Sequence, residues 1–236
     1  MIPRAPSAAA LVFFSLAAAQ AVLEWKAEKA MPELVAAIAR TVLAADVSLF
    51  KLINGHHTAF FDAFFSAMSY LGNGWVIIPV FLVFILWRTP KSRRAHAVIF
   101  TAVVFVISGL ANPLVKQVVD RPRPAAYFIP PGAGAPPEST RSFEVHIVGD
   151  RLVAHSFPSG HANTAFTVAA LVVLACGWRL WPSFFVAALV AYSRIYVGAH
   201  FPLDTLAGAV MGAGITLVVW RRLEKISPAG KTGRPL

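Results

Sequence analysis

Long apolar runs constrain this chain more than any other feature. Six stretches approach the roughly 20 residues of helix that cross a bilayer: Ala8–Leu23, Tyr70–Trp87, Ala97–Val115, Ala162–Trp178, Pro182–Tyr196 and Leu203–Trp220. The expected fold class is therefore all-α, an integral membrane bundle of six transmembrane helices. A content of 57% hydrophobic against 14% charged residues excludes an ordinary soluble domain. Trp25, Trp75, Trp87, Trp178, Trp181 and Trp220 fall near the ends of the runs, where aromatic rings anchor helices at the headgroups.

Charge then orients the bundle. The net charge of +10 is not gathered into a stripe with interleaved aromatics, so nucleic acid is not expected as a partner. Arg88, Lys91, Arg93 and Arg94 crowd one short loop, and Arg221, Arg222 and Lys225 follow the last run. Both clusters belong on the cytoplasmic side, in an inner-membrane protein that crosses several times. Cys176 is the chain's one cysteine and lies inside a run, which rules out an intrachain disulfide. Arg4, the apolar run after it and Ala19-Gln20-Ala21 fit either a cleaved signal peptide or a first span; the membrane context favours the uncleaved span. Residues 1–236 read as a single membrane domain with no internal repeat.

Two segments between the runs carry information of their own. From Pro32 to Lys51, the apolar residues Leu34, Ile38, Val42, Leu43, Val47 and Phe50 recur at helical spacing. Glu33, Arg40, Asp46 and Lys51 supply a polar side, as in a helix lying in the interface. Phe60, Phe61, Phe64 and Phe65 follow around Asp62 and fit packing, interface anchoring or a lipid entry path. The second segment is an extracytoplasmic loop, residues 125–157. Its Pro130–Pro137 half is too rich in proline and glycine for regular structure. Its other half, Phe143 to Val148 and Arg151 to His155 around Gly149-Asp150, reads as a small hairpin, and the loop fits a lid, a substrate-selecting rim or a plain solvent loop.

Chemistry concentrates at the ends of the runs, where an unneeded charge is costly. Lys116 precedes Arg123-Pro124; Pro158-Ser159-Gly160-His161 opens the fourth run; Ser193-Arg194, His200 and Asp204 bracket the junction of the fifth and sixth. With the Arg88–Arg94 loop inside, alternating spans bring all of these to one outer face, though they lie almost ninety residues apart. Lys116, Arg123 and Arg194 suit a phosphate dianion, arginine gripping its oxygens bidentately. Ser159 is placed to cap a helix whose N-terminal N–H groups face the same anion, and Gly160 lets a ligand approach the backbone. Asp204, four residues after His200, can fix the imidazole tautomer and leave the other nitrogen nucleophilic. His161 is placed to protonate a departing oxygen. Arg121 has no role in this scheme and is expected to be solvated or to face headgroups, with Asp120 as a possible ion-pair partner. His56, His57, His96, His146 and His155 read as surface or structural residues. No familiar metal-ligand spacing appears, and no cofactor is expected.

The spacing Lys116 to Arg123-Pro124, then Pro158 to His161, then Ser193-Arg194 to His200 to Asp204 closely resembles the three-part pattern of the type 2 phosphatidic acid phosphatase superfamily, whose soluble relatives include vanadium haloperoxidases. The resemblance covers about the last two-thirds of the chain. It implies metal-independent hydrolysis of a membrane lipid phosphate or diphosphate through a phosphohistidine. By this likeness His200 is the nucleophile, Asp204 its partner and His161 the acid, while Lys116, Arg123, Ser159, Gly160 and Arg194 bind phosphate. Undecaprenyl diphosphate, phosphatidylglycerophosphate, phosphatidic acid and lipid A phosphates are the implied substrates, and the motifs cannot choose among them. A lipid phosphotransferase using the same intermediate, or a non-catalytic protein that binds lipid phosphate, are the alternatives. Haloperoxidase chemistry fits six spans less well.

Overall fold

The computed structural model describes residues 33–128 and 143–226. The 8–23 run and the proline-glycine half of the loop lie outside these residues. Eight α-helices follow in order: α1 Glu33–Asn54, α2 Ala59–Tyr70, α3 Gly74–Arg88, α4 Arg94–Val119, α5 Pro124–Phe128, α6 Gly160–Cys176, α7 Ser183–Tyr196 and α8 Pro202–Ile226. By length and composition α4 and α8 can each cross a membrane, and α2 with α3 can form a third span bent by 60°.

The bend between α2 and α3 falls at the start of the apolar run expected over Tyr70–Trp87, nearly all of which forms α3. Here Leu71 ends α2, Asn73 starts α3 by accepting a hydrogen bond from Trp75 N at 3.0 Å, and Gly72 lies between. Side-chain capping competes with a continuous helix at this point. Gly72 is also a packing requirement, because a Cβ there would lie 2.6 Å from Val190 Cγ1 and 2.9 Å from His161 Cβ.

The α6–α8 pair forms the centre of the bundle. Two glycines one turn apart on α8 allow it: a Cβ at Gly208 would lie 2.3 Å from Ser159 O, and one at Gly212 would lie 2.1 Å from Asn163 O. Small residues at this spacing let helix backbones touch. Toward the far end of the bundle from the motifs, Phe81, Ile85, Phe100, Val104, Leu171 and Val219 close an apolar core. A polar contact joins α4 to α6, where Ser108 Oγ donates to Asn163 Oδ1 at 3.0 Å.

Two expectations are corrected. No strand forms in residues 143–155, so the hairpin is absent. The reason is competition for backbone groups. Val148 N donates to Val197 O at 3.2 Å, and Val153 O accepts from Arg123 N at 3.0 Å. Asn54 binds both the N–H and the carbonyl of His146, at 2.9 and 2.7 Å. Each arm is thus stitched to helix ends instead of to the other arm. The second correction concerns α1. Its buried face carries Ala36, Ala39, Asp46, Phe50 and Asn54, while Ile38, Val42, Leu49 and Leu52 are exposed. Asp46 therefore points into the protein, and the aliphatic face points outward.

Candidate active site

Every residue singled out by the sequence pattern lies at one end of the bundle. Lys116 is on the last turn of α4, Arg194 on the last turn of α7, and His161 on the first turn of α6. Asp204 opens α8, with His200 in the connection before it. Sequence distance collapses here: Arg123 Nη1 lies 3.4 Å from His200 Nε2, and the charges of Arg194, Arg123 and Lys116 all reach His161.

Backbone carbonyls hold the cations in place. Arg123 Nε donates to Ala154 O at 2.9 Å and Nη1 to Ala199 O at 3.2 Å, while Lys116 Nζ donates to His155 O at 2.5 Å. Arg194 Nη1 donates to Ser69 Oγ on α2. Its Nε is buried without a hydrogen-bond partner among the described residues, a donor that a bound anion could satisfy. Loop 143–155, lacking its hairpin, still contributes by supplying carbonyls to Lys116 and Arg123.

The start of α6 forms as its residues imply, with one difference. Ser159 caps the helix, accepting from Ala162 N at 3.5 Å, and its own N–H donates to Asp204 O at 2.8 Å. Two of the expected anion-facing N–H groups are thus engaged. Those of Gly160 and His161 have no intrahelical acceptor, by the geometry of a first helical turn. A Cβ at Gly160 would meet nothing closer than Asn112 Oδ1 at 3.6 Å, so packing alone does not demand glycine there.

Around His200, burial and orientation are both strict. The imidazole is 2% exposed and Asp204 is fully buried. His200 Nδ1 stands 3.6 Å from Asp204 Oδ2 and 3.4 Å from Ser156 Oγ. Ser156 Oγ donates to Asp204 Oδ2 at 2.5 Å. A hydroxyl has one proton, so with that proton on Asp204 its lone pair faces Nδ1. The arrangement favours a proton on Nδ1 and a lone pair on Nε2, the atom facing Arg123. Burial pushes the His200 pKa down to about 3 against the pull of Asp204, with Arg123 and Arg194 pushing the same way. The ring is neutral at neutral pH, as a nucleophilic imidazole must be.

Arg121 overturns its expected role. It is 5% exposed, its Nη1 donates to Asp204 Oδ1 at 2.7 Å and its Nη2 to Asp46 Oδ2 at 2.6 Å. The guanidinium also lies over the Phe201 ring at 4.2 Å. Asp120 instead bonds His155, Oδ1 to Nδ1 at 3.0 Å, on the exposed rim. Sequence reasoning also missed Ser156, Asp46 and Ser69. The only available signal was the four-residue spacing of Asp46, Phe50 and Asn54, one helix face mixing polar and aromatic residues. His146 proves to be a structural residue, with Nε2 3.0 Å from Asp62 Oδ1 and its ring stacked on His57. Among the described residues no group of three or more His, Cys, Asp or Glu is gathered as metal ligands would be.

Comparison with known proteins places the chain in a family. A model of the PAP2 superfamily matches residues 96–227. The chain is 30% identical over 174 residues to an undecaprenyl-diphosphatase of Sulfolobus acidocaldarius, covering 73% of this chain and 76% of that protein. It is 31% identical over 175 residues to a lipid A 4'-phosphatase of Bacteroides thetaiotaomicron, covering 71% and 72%. The crystal structure of a transmembrane PAP2 type phosphatidylglycerolphosphate phosphatase from Bacillus subtilis superposes with a TM-score of 0.65 at 20% identity, over 93% of this chain and 96% of that one. At that identity the likeness is one of fold.

Proposed function

The chain belongs to the PAP2 superfamily, and from that premise we propose that it hydrolyses a membrane lipid phosphate or diphosphate without a metal, through a phosphohistidine on His200. One observation carries this reading: His200 Nε2 faces Arg123 Nη1 at 3.4 Å while Nδ1 is turned to Ser156 and Asp204. A phosphoryl group held by Lys116, Arg123, Arg194 and the N–H groups of Gly160 and His161 meets the Nε2 lone pair in line. With the bound phosphate dianion offsetting the cations around it, His161 enters as the imidazolium and gives its proton to the departing oxygen. Water then attacks phosphorus while the now neutral His161 takes one of its protons, and the P–N bond breaks to release inorganic phosphate and return His200 to its neutral form. Preorganised cations supply most of the acceleration, because charge builds on the equatorial oxygens in the transition state.

The enzyme sits in the inner membrane as the six spans expected from its apolar runs. Its site faces the periplasm or cell exterior, opposite the Arg88–Arg94 loop. Undecaprenyl diphosphate and lipid A phosphate are the first substrates to try, since the relatives at 30% and 31% identity carry those names. Phosphatidylglycerophosphate and phosphatidic acid complete the panel.

The test is phosphate release by detergent-purified protein from those four lipids with EDTA present, beside His200→Ala. Release by wild type alone supports a metal-independent lipid phosphatase. Phosphate appearing on a second lipid instead of in solution indicates a phosphotransferase. Binding without turnover on any lipid, by folded protein, indicates a non-catalytic site.

A further inference from the structure

A buried ionic relay stands directly behind the proposed nucleophile, and part of it comes from α1, which precedes residues 96–227 that match the family. Asp46 reaches inward from α1. Its Oδ2 accepts from Arg121 at 2.6 Å, and its Oδ1 accepts from Leu203 N, at the start of α8, at 2.7 Å. Arg121 bridges from Asp46 to Asp204. Asp204 in turn spends Oδ1 on Arg121 and Oδ2 on Ser156 and on Phe201 N at 2.8 Å. Side chains of Asp46, Arg121, Ser156 and Asp204 are all buried.

Stability does not account for such a cluster. Two carboxylates and one guanidinium removed from water cost more than an apolar replacement of the same volume. Phosphate binding does not account for it either. Both terminal nitrogens of Arg121 are directed to carboxylates, and its plane is covered by Phe201. What the cluster does determine is orientation. The rotamer of Asp204 meets Arg121 with one oxygen and Ser156 and Phe201 N with the other. That rotamer places Oδ2 and the Ser156 hydroxyl on the Nδ1 side of His200. The anchoring of α1 is firm at this point, because Phe50, one turn past Asp46, is fully buried against Phe128 and Phe201 at 5.7 and 5.1 Å.

We propose that Arg121, anchored by Asp46 of α1, and Ser156 are positioning residues that fix the His200 tautomer and aim Nε2 at phosphorus. The inference rests on the reading of His200 as nucleophile. Ser156 accepts the Nδ1 proton's hydrogen bond and passes its own to Asp204; Arg121 holds Asp204 so that this chain stays aligned. None of the three contacts substrate. A displacement of the imidazole by about 1 Å costs on the order of a hundredfold in rate, and that is the size of effect expected when one support is lost.

The experiment uses the full chain in detergent, with undecaprenyl diphosphate as substrate and inorganic phosphate as competitive inhibitor. Arg121→Gln and Ser156→Ala should each lower kcat roughly a hundredfold, with KM and the phosphate Ki within about twofold of wild type. Asp46→Asn should act in the same direction, and Asp46→Asn combined with Arg121→Gln should be scarcely worse than Arg121→Gln alone, as for groups acting as one unit. Wild-type kcat in folded Arg121→Gln overturns the proposal. So does a loss appearing mainly in KM and phosphate Ki, which would make Arg121 a binding residue. If Arg121→Gln does not fold, Ser156→Ala and Asp46→Asn decide: a lowered kcat with unchanged Ki in both supports the proposal, and wild-type kcat in both overturns it. His200→Ala in the same assay separates the two levels. An active His200→Ala enzyme removes the underlying reading, whereas a dead one beside fully active Arg121→Gln removes only the positioning role.

Discussion

At one end of α4, Arg88, Lys91, Arg93 and Arg94 crowd a short connection; at the other, Lys116, Arg121 and Arg123 follow one another just as closely. A composition plot cannot tell the two clusters apart. The structure treats them oppositely. Arg88 and Lys91 are exposed, Arg93 and Arg94 are half-buried, and Arg94 donates to Thr89 O at 3.1 Å beside its own helix start. Arg121 is 5% exposed and shares two carboxylates, while Arg123 and Lys116 are half-buried against a ring of carbonyls beside His200. The difference lies in what surrounds the charge. Solvated arginines orient a chain in the membrane and do little else. Buried ones must be paired, so their positions are specified to fractions of an ångström, and such specification is what catalysis needs.

The comparison is broken most directly at His200. His200→Ala should abolish phosphate release, a loss of about 10⁴-fold or more, with the thermal melt of the purified protein still cooperative; turnover near wild type would mean the cation cluster serves another residue. Next in size is Arg194→Ala. Removing one preorganised donor from the transition state should lower kcat/KM roughly 10²- to 10³-fold, and the phosphate Ki should rise with it. An unchanged Ki would place the anion away from Arg194.

A third test reads stability against pH. Burial lowers the His200 pKa from 6.5 to about 3, so between those values the unfolded chain takes up a proton that the folded chain does not. This group's contribution is therefore fully present above about pH 6.5 and is lost as pH falls toward 3. Wild type should lose more melting temperature than His200→Ala over that window, and parallel curves would show that the imidazole is not buried as described. The smallest effect belongs to the other end. Arg94 and Lys116 are separated by about 33 Å of helix, several Debye lengths at physiological salt. Lys91→Ala and Arg93→Ala should leave specific activity within about twofold; a large loss in folded protein would put that loop beside the chemistry.

Legibility differed by element. The fourth and fifth apolar runs became helices within two residues of their expected ends, and the last began within one residue of its expected start but ran on to Ile226. A long apolar stretch bounded by Pro202, Ser159 or Gly177 leaves the backbone little choice at those ends. The run from Tyr70 also became a helix, but one that starts at Gly74. Nothing in its hydropathy marks the 60° bend, which depends on Asn73 capping and on Gly72 meeting Val190 and His161. The hairpin over 143–155 was a sound local reading that lost to distant partners such as Asn54 and Arg123.

Hydropathy and spacing alone mark the chain as a helical membrane protein and pick out three motifs of the residue types suited to holding a phosphate. Those properties follow from hydropathy summed over a helix length and from residue types at fixed spacing, which are local. What stands behind the motifs emerges from the fold: Ser156 between His200 and Asp204, Arg121 buried instead of solvated, and Asp46 of α1 turned inward to meet it. These contacts join residues 75 and 83 positions apart for Arg121, and 48 for Ser156. A lone arginine or aspartate near an apolar run reads the same whether it faces water or a partner, since its charge is local but its burial belongs to the whole fold.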